Sequence, residues 1–131
     1  MRIWDVPPEE LCREHLLGEH VEAHAVWSII TKGLKGYSHH PEVLRWKGKL
    51  AALYIRHEDM AQEMKRRGYS HKSPLDRKLV TGARTQHEFV DTLEEQYRLL
   101  RLKKCECRLP VRRSGFQDHM IKAVSSESKI P

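Results

Sequence analysis

The stretch PEELCREHLLGEHVEAHAVWSIIT, residues 8–31, decides the fold class. Within it Leu11, His15, Gly18, Glu22, Val26 and Ile29 follow one another at steps of three and four, as do Cys12, Leu16, Glu19, Ala23, Trp27 and Ile30. Such steps stack side chains on one face of an α-helix. Pro7 and Pro8 suit a first helical turn, Glu9 and Glu10 favour the positive end of the helix dipole, and Gly33 supplies a stop. One long helix from about residue 8 to residue 31 is predicted.

Further along, Val43, Trp46, Leu50, Leu53, His57, Met60 and Met64 repeat the spacing and predict a second helix from Pro41. Lys65, Arg66 and Arg67 then occupy the negative end of its dipole, and Gly68 stops it. Residues 70–84 contain Pro74 and Gly82 with little periodicity and read as a connection. Thr85 and Glu88 form a capping-box sequence ahead of a third helix whose face carries Phe89, Leu93, Tyr97 and Leu100. No repeat, Gly-rich phosphate loop or alternating run that would need a sheet is present. The expected architecture is all-α, a compact single-domain bundle of three main helices with irregular connections. The helical unit is expected to cover residues 1–104 and a basic, irregular tail residues 105–131, with a short helix conceivable at 117–124.

Length and composition agree with one core: 131 residues, 39% apolar, with a mean hydropathy of −0.68. Apolar runs such as Leu50 to Leu53 fall far short of the roughly 20 residues that span a bilayer. Arg2, Asp5, Pro7, Pro8 and Glu9 do not open a signal peptide, so a cytoplasmic protein is expected, associated with the nucleoid if bacterial. The net charge of +6 is unevenly spread. Residues 1–31 hold two basic and six acidic side chains, whereas residues 32–84 hold thirteen and five. A polyanion such as nucleic acid is the natural partner of that middle segment.

Glu19 and Glu22 are the conflict between pattern and chemistry, because each stands in an otherwise largely apolar line. A carboxylate there is costly unless paired. Two readings stay open: a site residue, or an edge residue that binds an arginine of the second helix. His20 and His24, four apart, raise a metal-dependent hydrolase as a third possibility, although the zincin order His-Glu-x-x-His is absent. Cys12 is isolated and Cys105-x-Cys107 has no second pair in sequence, so neither a disulfide framework nor a zinc site is expected.

The order of features resembles the pyrimidine dimer DNA glycosylase family, which includes a phage endonuclease. The likeness is carried by Met1-Arg2-Ile3-Trp4, Glu10-Leu11, His15-Leu16, Glu19 and Glu22. It continues through Lys35-Gly36-Tyr37-Ser38-His39-His40-Pro41, Gly48-Lys49-Leu50 and Lys65-Arg66-Arg67-Gly68-Tyr69, over roughly residues 1–104. The resemblance implies a glycosylase with abasic-site lyase activity on damaged double-stranded DNA. It would act as a monomer, without metal or cofactor. In such chemistry the α-amino group attacks the sugar C1′, a Schiff base forms, the base leaves and β-elimination cuts the strand.

A terminal amine suits this role because its pKa of about 7.7–8.0 leaves free base at neutral pH, unlike lysine near about 10.4. Arg2 follows Met1, a residue too large for removal of the initiator methionine, so the amine of Met1 is the expected nucleophile. Glu22 matches the family's catalytic glutamate and His15 a histidine near the same site. Val21 and Ala25 stand where the phage enzyme has arginines, and its aromatic tail is missing here. The expected DNA-contacting residues are therefore Arg2, His15 and, ahead of the second helix, Lys35, Tyr37, His39 and Arg45. The alternative is a helical DNA- or RNA-binding module of the same fold without catalysis.

Overall fold

A computed structural model of the chain describes residues 2–71, 73–103 and 105–109. The described residues are helical, without strands: a 3-10 turn at Pro8–Glu10, α1 (Arg13–Lys32), α2 (Pro41–Leu44), α3 (Leu50–Arg66), a second 3-10 turn at Arg77–Leu79, and α4 (Leu93–Leu102). The three long helices form the expected all-α bundle. None of these helices is long and apolar enough to cross a membrane.

The first and third predicted helices begin later than their periodicity implies and the second, which starts at Pro41, is interrupted; tertiary contacts explain why. The first breaks at Leu11 and Cys12, both extended. The break turns Leu11 into the core at 2% exposure and frees its carbonyl to accept a hydrogen bond from Arg67 Nη2 at 2.6 Å. The second is interrupted between α2 and α3, where the chain turns through Gly48 at φ +73° and buries Arg45 and Trp46. The third starts not at Thr85 but at the next Thr-x-x-Glu sequence, where Thr92 Oγ1 accepts from the Glu95 amide at 3.1 Å. Glu88, expected to close the earlier box, instead gives its carbonyl to Arg45 and its carboxylate to Lys49. Phe89 is 41% exposed, while Tyr97 and Leu100 carry the buried face.

The core joins these pieces. Ile3, Trp4, Val6 and Leu11 precede α1 and pack with Leu16, Ala23, Val26 and Trp27 of α1, Leu53, Met60 and Met64 of α3, and Leu100 of α4. Each fully buried side chain of this size contributes about 1.5–3 kcal/mol. The N-terminal segment is thus an integral part of the interior. Cys107 and Leu109 also pack against the core, and the Arg108 amide donates to the Glu10 carbonyl at 2.7 Å. Residue 104 is therefore not where packing ends. The rest of the expected tail, including 117–124, lies outside the described residues.

The start of α3 shows how the connection is held. Two of the amides that every helix N-terminus leaves unsatisfied, those of Ala51 and Ala52, donate to the carbonyls of Thr81 and Ala83 at 2.8 and 3.0 Å. The loop approaches closely enough that a Cβ on Gly82, at φ +83°, would lie 2.2 Å from the Gly48 carbonyl oxygen. Gly82→Ala should therefore destabilise the protein by about 2 kcal/mol or more in chemical denaturation, since both strained backbone and a backbone clash are imposed.

Candidate functional site

The chain start is fixed by hydrogen bonds to buried polar groups. The Ile3 amide donates to Glu42 Oε1 at 3.1 Å, and the Ile3 carbonyl accepts from Arg45 Nη2 at 2.8 Å. The Asp5 amide donates to Gln96 Oε1 at 2.7 Å, and its carboxylate accepts from Arg45 Nη1 and Gln96 Nε2, both at 2.9 Å. The Val6 carbonyl accepts from Arg56 Nη2 at 2.8 Å. Trp4 is buried and meets the His15 ring edge-on at 5.9 Å. Arg2 lies with its guanidinium 4.8 Å over the Trp4 ring and pairs with Asp91 at 2.9 Å.

The two glutamates of α1 part ways. Glu19 is 2% exposed, and both of its oxygens accept from Arg56 Nη2 at 2.9 Å. Burial pushes its carboxyl up to about 7, against the pull of the Arg56 charge. Glu19 is thus the carboxylate that binds an arginine of the second predicted helix, the structural one of the two readings. Glu22, one turn further along α1, is half-buried and has no hydrogen bond or ion pair to a described residue. Gly18, on the same face, is exposed, and a Cβ built on it meets nothing within 4 Å. The helix face between His15 and Glu22 is therefore open at Gly18.

The other expected site residues are distributed as follows. Met1 lies outside the described residues. Lys35, Tyr37 and His39 sit exposed in the α1–α2 loop, with Tyr37 at 71% exposure and φ +59°. Tyr37 meets the ring of His40, the N-cap of α2, edge-on at 6.5 Å and otherwise faces solvent. Arg45, expected to contact DNA, is a correction: it is 5% exposed, and Asp5, Glu42 and the carbonyls of Ile3 and Glu88 take up its guanidinium. A phosphate could reach it only by dismantling that network.

The fold also assembles two clusters that sequence separation hides. His15 Nδ1 lies 3.3 Å from Cys12 Sγ and 3.2 Å from Cys107 Sγ, and Cys105 completes a group of four. In the interior, His20 Nε2 lies 3.1 Å from His57 Nε2 and 2.9 Å from His71 Nε2, and His24 Nε2 lies 3.1 Å from His57 Nε2. In each cluster the ligand atoms all lie within 4.8 Å of one another, close enough to hold a metal ion. The sequence signal for the first was the Cys-x-Cys pair, whose partners lie more than ninety residues earlier. For the second it was His20 and His24, but His57 read as a core position and His71 as part of a connection.

A sequence model described as pyrimidine dimer DNA glycosylase matches residues 1–77, more than half of the chain. The chain belongs to the pyrimidine dimer DNA glycosylase family. The matched stretch contains α1, α2 and α3 and stops before α4 and the Cys105–Cys107 pair. No curated protein and no solved structure matches the chain significantly.

The partition between the glutamates has a direct consequence. Glu19→Ala should cost about 3–5 kcal/mol, because it leaves the Arg56 charge half-buried without its partner. Glu22→Gln should change stability by no more than about 0.5 kcal/mol. Urea unfolding of the two variants side by side checks the contrast.

Proposed function

We propose that the protein is a bifunctional DNA glycosylase and abasic-site lyase that acts on damaged pyrimidines in duplex DNA. The α-amino group of Met1 attacks C1′ of the damaged nucleotide. Glu22 stabilises the cationic sugar as the base departs and assists the proton transfers that follow. The imine then acidifies the C2′ hydrogen, and β-elimination breaks the strand on the 3′ side.

The observation that carries this reading is the contrast on α1, where one carboxylate is taken up by an arginine and the other stands half-buried, without a partner among the described residues, next to the open surface at Gly18. A carboxylate kept without a partner costs stability, and its retention is explained by a substrate that supplies the missing charge. Trp4 supports it further. Its ring lies against His15 and its backbone amide faces the Glu19 carboxylate, about one helical turn from Glu22 along α1.

DNA reaches this face from the α1–α2 loop. Lys35 offers a phosphate contact, His39 a hydrogen bond, and the exposed Tyr37 and Leu34 offer apolar surface to an opened base step. The loop follows α1, so it stands about 15 Å from Glu22 along the helix, within the width of one duplex. Arg2 contributes a second phosphate contact from the chain start. Chemistry at C1′ requires the target nucleotide to be turned out of the stack, and a wedge in the loop serves that step.

Borohydride trapping on abasic and ultraviolet-irradiated duplex tests the reading. The protein with a free amine at Met1 should form a covalent adduct, and a tag placed ahead of Met1 should abolish it. Glu22→Gln should slow base release by about 100-fold or more while binding is kept. If no adduct forms with the untagged protein while a known lyase traps normally, amine chemistry is excluded. Tyr37→Ala should weaken binding to damaged duplex by about five- to a hundred-fold, the worth of one stacked base, in a gel-shift titration.

A further inference from the structure

We propose that Cys12, His15, Cys105 and Cys107 form a structural zinc site that fastens residues 105–109 to the start of α1. Tetrahedral zinc with Zn–S near about 2.3 Å and Zn–N near about 2.0–2.1 Å sets its ligand atoms about 3.4–3.8 Å apart. The group here has that size, with all four atoms within 4.8 Å and His15 Nδ1 3.2–3.3 Å from two sulfurs. A two-iron cluster divides its ligands between two metal ions and needs a wider set, so a single ion is indicated.

Local structure favours thiolates. Cys12 is the residue that caps the N-terminus of α1, where the helix dipole favours negative charge. Its amide donates to Cys107 Sγ at 3.1 Å, an N–H···S bond of the kind that supports a metal-bound sulfur. Three thiolates this close would repel one another, and a divalent ion among them offsets that repulsion. Four protein ligands close the coordination sphere, which makes the site structural. Two of the four lie beyond the stretch that matches the family.

A second site rests on different residues. We infer that the Nε2 atoms of His20, His24, His57 and His71 hold a second borderline divalent ion, of the zinc class that imidazole suits. The argument is one of proton counting. An imidazole nitrogen has a single in-plane position, filled by a proton or a lone pair, and so serves one hydrogen bond. His57 Nδ1 lies 2.8 Å from Glu58 Oε2 and carries its proton there, which leaves Nε2 bare. That one lone pair is approached at 3.1 Å by both His20 and His24, and His20 Nε2 is approached by His71 as well. These contacts cannot all be hydrogen bonds. Four lone pairs directed at one ion satisfy every nitrogen at once.

The surroundings agree. The Glu58 carboxylate on His57 Nδ1 is the outer partner that ligating histidines commonly have. An ion here would clamp α1, α3 and the segment after Tyr69 together.

Elemental analysis of the full chain, prepared without any affinity tag from zinc-supplemented culture, tests both sites. Two zinc ions per chain are expected, falling to one in Cys107→Ser, one in His71→Gln and none in the double variant. Cobalt substitution separates the sites without any variant. A near-ultraviolet thiolate-to-cobalt band should appear in the native chain, vanish in Cys107→Ser and survive in His71→Gln. A native mass two hydrogens lighter, marking a disulfide, or a cobalt protein without the thiolate band, overturns the cysteine site. Cobalt binding at one equivalent only, with the thiolate band present, overturns the histidine site. Far-ultraviolet circular dichroism of each variant shows whether a lost metal reflects a lost ligand or a lost fold.

Discussion

The guanidinium of Arg45 lies where the chain start, α2 and the stretch before α4 converge. It accounts for much of the rest of the structure. Asp5, Glu42, the Ile3 carbonyl and the Glu88 carbonyl are held around it, and Glu42 in turn accepts from the Ile3 amide. A charge this deeply buried is stable only when its donors are matched by acceptors in fixed positions. Nearness to two carboxylates, opposing the effect of burial, keeps the guanidinium firmly charged. The consequence is positional: the first residues of the chain are locked against α2, with Trp4 between them and His15. A reaction that used the chain terminus would require such a lock, because a frayed terminus gives no fixed attack geometry.

The first helix holds its two out-of-place carboxylates in different settings. Glu19 and Arg56 cross-link α1 to α3 inside the bundle, and Arg56 also takes the Val6 carbonyl. Glu22 takes no part in this. Residues 1–31 are acidic as a whole, yet two of their carboxylates, Asp5 and Glu19, are spent on interior arginines. The middle segment is correspondingly less cationic at its surface than its formal charge implies, since Arg45 and Arg56 face inward. What remains exposed is spread over several places, among them Lys35 in the α1–α2 loop, Lys65 and Arg66 at the end of α3, and Arg77 and Lys78 in the second 3-10 turn.

Helix boundaries illustrate how local signals compete. Thr85 and Thr92 carry the same Thr-x-x-Glu sequence, and only the second caps a helix. Nothing within a few residues of Thr85 distinguishes them. The difference lies in Arg45 and Lys49, which engage Glu88 from about forty residues away. In the same way, the break at Leu11 and Cys12 reflects burial of Leu11 and the reach of Arg67, and it leaves Cys12 free to cap α1 beside Cys107.

By itself the sequence determined the class of fold, the three main helices, the stop at Gly68 and the family, because helical periodicity and the order of motifs are properties of residues close along the chain. It also marked Glu19 and Glu22 as out of place. Only the tertiary structure decided which of them is neutralised, since that depends on which one Arg56 can reach. It likewise removed Arg45 from the surface and gathered two sets of four ligands from segments up to about ninety residues apart. Ligand convergence is a matter of three-dimensional distance, and spacing along a chain carries almost none of that information once the partners come from different elements.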